Sequence, residues 1–169
     1  MEHEVFEAVV TLHKDRVHAY ACTLLKDTEE ARDVTQEILI RLWEHRRRVE
    51  PQGARPWLMR ATHNLCIDRI RRRRGRVDLD VEDGPSTPAD PTPGPERLAA
   101  SDQSRQHLGL ALASLSPMDR AVLVLREIQE LPYDEIAATL GLPLGTLKAR
   151  LHRARERLRE RLVQRGVSG

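Results

Sequence analysis

The sequence predicts an all-α protein of two small helical domains joined by a Pro-rich acidic linker, with a helix-turn-helix in the second domain. Three observations lead there. Apolar residues recur at three- and four-residue spacing over residues 5–70 and again over 98–162, and no convincing strand pattern interrupts them. Residues 76–95, RVDLDVEDGPSTPADPTPGP, hold half of the chain's ten prolines and almost no large apolar side chain. Such a segment cannot build a core of its own. Near the end, LPYDEIAATLGLPLGTLKARLHRARERL sets two helical patterns on either side of a glycine. Domains are therefore expected at 1–75 and 97–165, with 76–96 as a flexible link.

Taken in order, residues 4–25 place Val5, Phe6, Val9, Leu12, Val17, Tyr20, Ala21 and Leu24 broadly on a helical period. Asp27 with Glu30 three positions on has the form of a capping box. The helix it opens buries Ala31, Val34, Ile38 and Leu42 and shows Asp33, Gln36, Glu37 and Arg41 on its polar side. Arg46-Arg47-Arg48 and Glu50-Pro51-Gln52-Gly53 end it in a loop. A third helix is expected from Pro56, with Leu58, Ala61, Leu65 and Ile70 inward, ending in the run Arg71–Arg74 and Gly75. Four arginines suit a helix C-terminus through the dipole alone, and they also suit phosphate contact. Beyond the linker, Leu98, Leu108, Leu112 and Leu115 resume the helical pattern. Ser116-Pro117 then supplies an N-cap and a first-turn proline, with Asp119 at the same helix end.

The helix-turn-helix follows. Asp134-Glu135-Ile136-Ala137 opens a short helix that Gly141 stops, because glycine enters the left-handed cap conformation without steric penalty. Pro143 begins the next helix, which directs Leu144, Leu147, Leu151, Leu158 and Leu162 to the core. From Lys148 to Arg165 that helix carries eight basic residues against Glu156 and Glu160. A solvated basic face on an ordinary hairpin would show the same charge. The glycine-centred spacing favours a recognition helix laid in the DNA major groove, where arginine meets guanine edges and phosphates.

The net charge of +2 conceals an uneven distribution. Residues 1–75 carry +3, residues 76–104 carry −5 and residues 105–169 carry +4. Two basic lobes with an acidic segment between them suit a nucleic-acid partner. No apolar run approaches the roughly 20 residues of a membrane span, so no membrane insertion is expected. The acidic N-terminus MEHEVFEAVV lacks a signal pattern, so a cytoplasmic location is expected.

Three segments, in this order, resemble the extracytoplasmic-function (ECF) sigma factors, the small group that directs bacterial RNA polymerase to promoters. DTEEARDVTQEILIRLWEH is similar to their core-binding helix and RPWLMRATHNLCIDRIRRRR to their promoter-melting helix. LSPMDRAVLVLREIQELPYDEIAATLGLPLGTLKARLHRARERL is similar to their domain that reads the −35 element. The resemblance implies that Asp33, Gln36, Glu37 and Arg41 face the clamp helices of the polymerase β′ subunit, and it implies a second contact at the β flap. It implies that Asn64 helps hold a flipped base of the −10 element beside the loop 49–55, with Trp57, Arg71 and Arg72 also on −10 DNA. Extruding a base costs a few kcal/mol of stacking, which an amide and a fitted loop offset. Lys148, Ala149, His152, Arg153 and Arg155 fall on the family's −35 contacts and Arg126 on the phosphate backbone. Arg157, Arg159 and Arg161 are expected as backbone contacts or solvated charges. The acidic linker is expected to run toward the RNA exit channel. An anti-sigma factor is an implied partner, and no cofactor or metal is implied.

The chain departs from the family at three places. Ala149 stands where many members have serine, which removes a hydroxyl contact. His152 occupies a variable position. Trp57-Leu58 replaces the aromatic pair with which larger sigma factors wedge DNA open.

Two other classes compete. A stand-alone helix-turn-helix regulator would explain the second lobe and leave the first unexplained. A zinc or redox sensor would use His18, Cys22, His63 and Cys66, but no loop gathers them as structural zinc sites require. An enzyme is not expected, since no Gly-rich phosphate loop or nucleophile motif is present.

Overall fold

A computed structural model describes residues 1–75 and 100–166; Leu98 and the linker 76–96 with its acidic residues lie outside these. Every regular element among the described residues is helical. The first lobe comprises α1 (His3–Leu25), α2 (Thr28–His45) and α3 (Ala54–Arg74). The second comprises α4 (Ala100–Ala113), α5 (Pro117–Leu123), a π-helical turn (Val124–Ile128), α6 (Tyr133–Leu140) and α7 (Leu144–Gln164). None of these helices is long and apolar enough to cross a membrane.

In the first lobe α1 packs along both α2 and α3. Val17, Tyr20, Ala21 and Leu24 meet Ala31, Val34, Ile38 and Leu42 from α2 and Leu58, Met59 and Cys66 from α3, all buried. Asp27 caps α2 as its sequence suggests, its carboxylate accepting the Glu30 N–H at 3.1 Å. The expected start of α3 moves upstream. A 3-10 turn, Pro51–Gly53, leads into Ala54, so Pro56 lies within the first helical turn, where its missing N–H costs nothing.

In the second lobe Ser116 caps α5 by accepting the Asp119 N–H at 3.2 Å. Beyond Leu123 this helix widens into the π turn, where Gln129 N–H reaches back five residues to the Val124 carbonyl at 2.8 Å. Gly141 ends α6 at φ +67°, the left-handed conformation expected of it. Leu147, Leu151 and Ala154 fix α7 to the core.

One placement is corrected: Leu144, expected in the core, is 45% exposed at the start of α7. Val5 and Leu12 of α1 keep the helical period but are 40% and 69% exposed, on turns that no element among the described residues covers.

The lobes touch. α3 packs against α6, and α1 against α4, α5 and the π turn.

Candidate polymerase and nucleic-acid interfaces

The α2 face expected to meet a protein is ordered by ion pairs. Asp33, Gln36 and Arg41 are exposed and Glu37 half-buried. Glu37 holds Arg41 one turn on at 2.5 Å and accepts from Arg69 of α3 at 3.0 Å, while Glu30 pairs with Arg73. The face is thus braced from behind by α3, with Asp33 and Gln36 presented to solvent.

Asn64 and Arg71 line a recess of about 500 Å³ with Arg60, His63 and Asp68 from α3 and Met118, Thr139 and Gly141 from the second lobe. Arg71 and Arg72 are exposed in the last turn of α3. Trp57 is half-buried, packs on the core and lies 5.9 Å from the His45 ring. Behind Asn64 is a buried pair, Tyr20 Oη and His63 Nδ1 at 2.8 Å. Burial keeps Tyr20 protonated and pulls His63 down to about 4. The phenol therefore donates, Nδ1 accepts, and the imidazole is neutral with its proton on Nε2.

On α7, Lys148, Ala149, His152, Arg153 and Arg155 are all exposed and share one side of the helix. Two outside groups trim this surface. Arg155 is held by Glu127 of the π turn at 2.5 Å. The Tyr133 ring has the Arg126 guanidinium 4.3 Å from its centre and the Lys148 ammonium at 5.9 Å, and Arg126 also donates to the Leu131 carbonyl. Tyr133 thus joins Arg126 to the exposed basic face of α7.

Arg157 departs from the expectation of a solvated or DNA-facing charge. It donates to Asp119 at 2.6 Å, and Arg150 lies 3.6 Å from the other carboxylate oxygen, too far for a hydrogen bond. Asp119 is 1% exposed. Sequence reasoning placed Asp119 only at a helix end. The missed signal was a carboxylate at a core-facing position of α5, which requires cationic partners.

The zinc-type residues do not gather around one point. Cys22 Sγ lies 3.4 Å from His18 Nε2, while His63 is taken by Tyr20. Among the described residues no three His, Cys, Asp or Glu side chains converge as metal ligands would. Burial pushes the Cys66 thiol up to about 12 and also raises that of Cys22.

Comparison with known proteins agrees with this layout. Sigma-70 region 2 matches residues 9–76, and Sigma-70, region 4 matches residues 105–158. The chain is 39% identical over 161 residues to ECF RNA polymerase sigma factor SigE of Mycolicibacterium smegmatis, covering 94% of this chain and 62% of that protein. It is 36% identical over 169 residues to ECF RNA polymerase sigma factor SigL of Mycobacterium tuberculosis, covering 99% and 94%. Among solved structures it is similar to the sigma factor RpoE of Bartonella quintana in complex with the anti-sigma factor NepR. That match has a TM-score of 0.74 and 27% identity over 93% of this chain and 96% of that one. With both sigma regions in order and such identity along nearly its whole length, the chain belongs to the ECF RNA polymerase sigma factors.

Proposed function

We propose that this chain binds core RNA polymerase, directs it to specific promoters and starts DNA melting. The observation that supports it most is the ordered pair of sigma regions, at 9–76 and 105–158, on one chain. A stand-alone helix-turn-helix regulator would need only the second.

In this reading residues 1–75 are the core-binding and −10 unit, 97–165 the −35 unit, and 76–96 the connection. Asp33, Gln36, Glu37 and Arg41 meet the β′ clamp helices, and the second unit meets the β flap. Asn64, Trp57, Arg71 and Arg72 take the −10 strand, and Lys148, Ala149, His152, Arg153 and Arg155 the −35 groove. The chain acts by binding, as a non-catalytic initiation factor, in the cytoplasm where polymerase works. An anti-sigma factor is a partner by analogy with the Bartonella complex.

The test is transcription of fragmented genomic DNA by core polymerase with and without the purified chain. Start sites that appear only with the chain, each preceded by one shared two-part sequence, are the expected result. A footprint by the chain alone, with no chain-dependent starts, would return the stand-alone regulator.

A further inference from the structure

We propose that Tyr133 is a phosphorylation site, and that a phosphate on its hydroxyl draws Lys148, Arg155 and Arg126 away from −35 DNA. The inference rests on the assignment of α7 to the −35 groove.

The chain contains two tyrosines. Tyr20 is fully buried and bonded to His63, so no kinase reaches it in the folded chain. Tyr133 is half-buried and opens α6, between the exposed Pro132 and Asp134. The backbone from Glu130 to Pro132 belongs to no helix, and Pro132 at the N-cap offers α6 no side-chain hydrogen bond. A first turn without a cap frays readily, and fraying presents Tyr133 in an extended segment. The buried Leu131 meanwhile keeps the chain before it anchored.

Three cations already surround the side chain. The Arg126 guanidinium lies 4.3 Å and the Lys148 ammonium 5.9 Å from the ring centre. Arg155 is held charged first by Glu127 and then by the Tyr133 hydroxyl. These cations have other partners as well, since Arg126 donates to the Leu131 carbonyl and Arg155 pairs with Glu127. Of the other acids close in sequence, Glu130 and Asp134 are exposed, and Glu135 pairs with Arg55.

The phenol gives these cations a ring face and one neutral oxygen. A phosphate brings a charge of about −1.5 to −2 at pH 7 and three acceptor oxygens. Charge-assisted bonds are roughly twice as strong as neutral ones, so Lys148 turns from the ring to the phosphate, and Arg155 is divided between the phosphate and Glu127. In the transfer, Tyr133 Oη bonds to the terminal phosphorus of a nucleoside triphosphate, the bond to the nucleoside diphosphate breaks, and the phenolic proton passes to the kinase's base. Nothing is oxidised or reduced, and hydrolysis by a phosphatase returns the tyrosine. The cations captured are on α7 and the π turn, whereas Asp33, Gln36 and Arg41 lie on α2 and Arg71 and Arg72 on α3. The modification therefore acts on the −35 contact and spares polymerase binding.

The test uses the full chain with phosphotyrosine placed at position 133 during synthesis, assembled with core polymerase on a promoter mapped with the wild-type holoenzyme. Affinity for the upstream element should fall about tenfold or more, at unchanged affinity for core polymerase. Withdrawing two cations from DNA phosphates should also lower the slope of log affinity against log salt by about two. Phosphatase treatment of the same sample should restore both readouts, which a misfolded second lobe would not do.

Use of the site is read by mass spectrometry of the chain recovered from its own cells, in growth and under stress. Phosphate on the Tyr133 peptide is expected, and Tyr133→Phe should abolish the phosphotyrosine signal of the intact chain. Chain-dependent starts by the unmodified holoenzyme test the sigma reading separately. If those occur while the phosphorylated chain matches the wild type in upstream affinity and salt slope, the proposal falls. A Tyr133 peptide that carries no phosphate in any condition sampled also overturns it.

Discussion

His63 is a neutral imidazole in the folded chain, held near 4 against about 6.5 when exposed. As pH falls through 6.5 the unfolded chain takes up a proton that the folded chain refuses. Stability should therefore decline between about pH 6.5 and 4, by at most about 3 kcal/mol from this group. His13, lowered in the same direction by burial and by Arg16 and Arg55, adds to the decline. Urea melts from pH 7.5 to 4.5 check this, with His63→Gln as reference, since glutamine still accepts from Tyr20. The wild type should lose more stability on acidification than the variant, and equal pH dependence would contradict the assigned tautomer. Asp119 makes a second residue-scale case. Asp119→Ala removes the buried carboxylate to which Arg157 donates and should cost roughly 1.5–3 kcal/mol, read by thermal melts. A double-mutant cycle with Arg157→Ala should return a coupling above about 0.5 kcal/mol.

At the scale of elements, Gly141 fixes how α6 hands over to α7. No atom would meet a Cβ there, so the penalty of Gly141→Ala is conformational, about 1–2 kcal/mol for a left-handed residue. Melting of the second lobe should drop accordingly, and Gly141→Asn, which tolerates this conformation, should lose less. Equal losses would mean that the turn is not held left-handed. The helices themselves were legible in the sequence because burial on one side writes a 3.6-residue period, and Asp27, Ser116 and Gly141 marked three of the ends. Periodicity could not separate Leu12 or Leu144 from core leucines, since it reports a face and not whether something covers it. The π turn was illegible, because a single widened turn leaves no repeat.

At the scale of the molecule, what the sequence hid is long range. Arg120 donates to the carbonyl of Leu24, 96 positions away, an acceptor that any residue could supply. Arg157 and Asp119 are 38 apart, so their pairing had no local signature. The outward-facing residues, by contrast, were recoverable, since Lys148, His152 and Arg153 needed only helical spacing and a buried opposite face. The most direct test of the division of labour is footprinting of reconstituted holoenzymes on one mapped promoter, comparing wild type, Arg153→Ala and Asn64→Ala. Arg153→Ala should lose a base-edge contact of about 1–3 kcal/mol and with it protection of the upstream element, at unchanged affinity for core polymerase. Asn64→Ala should keep upstream protection and lose permanganate reactivity in the downstream element. Upstream protection that survives in Arg153→Ala, together with undiminished melting in Asn64→Ala, would contradict the account.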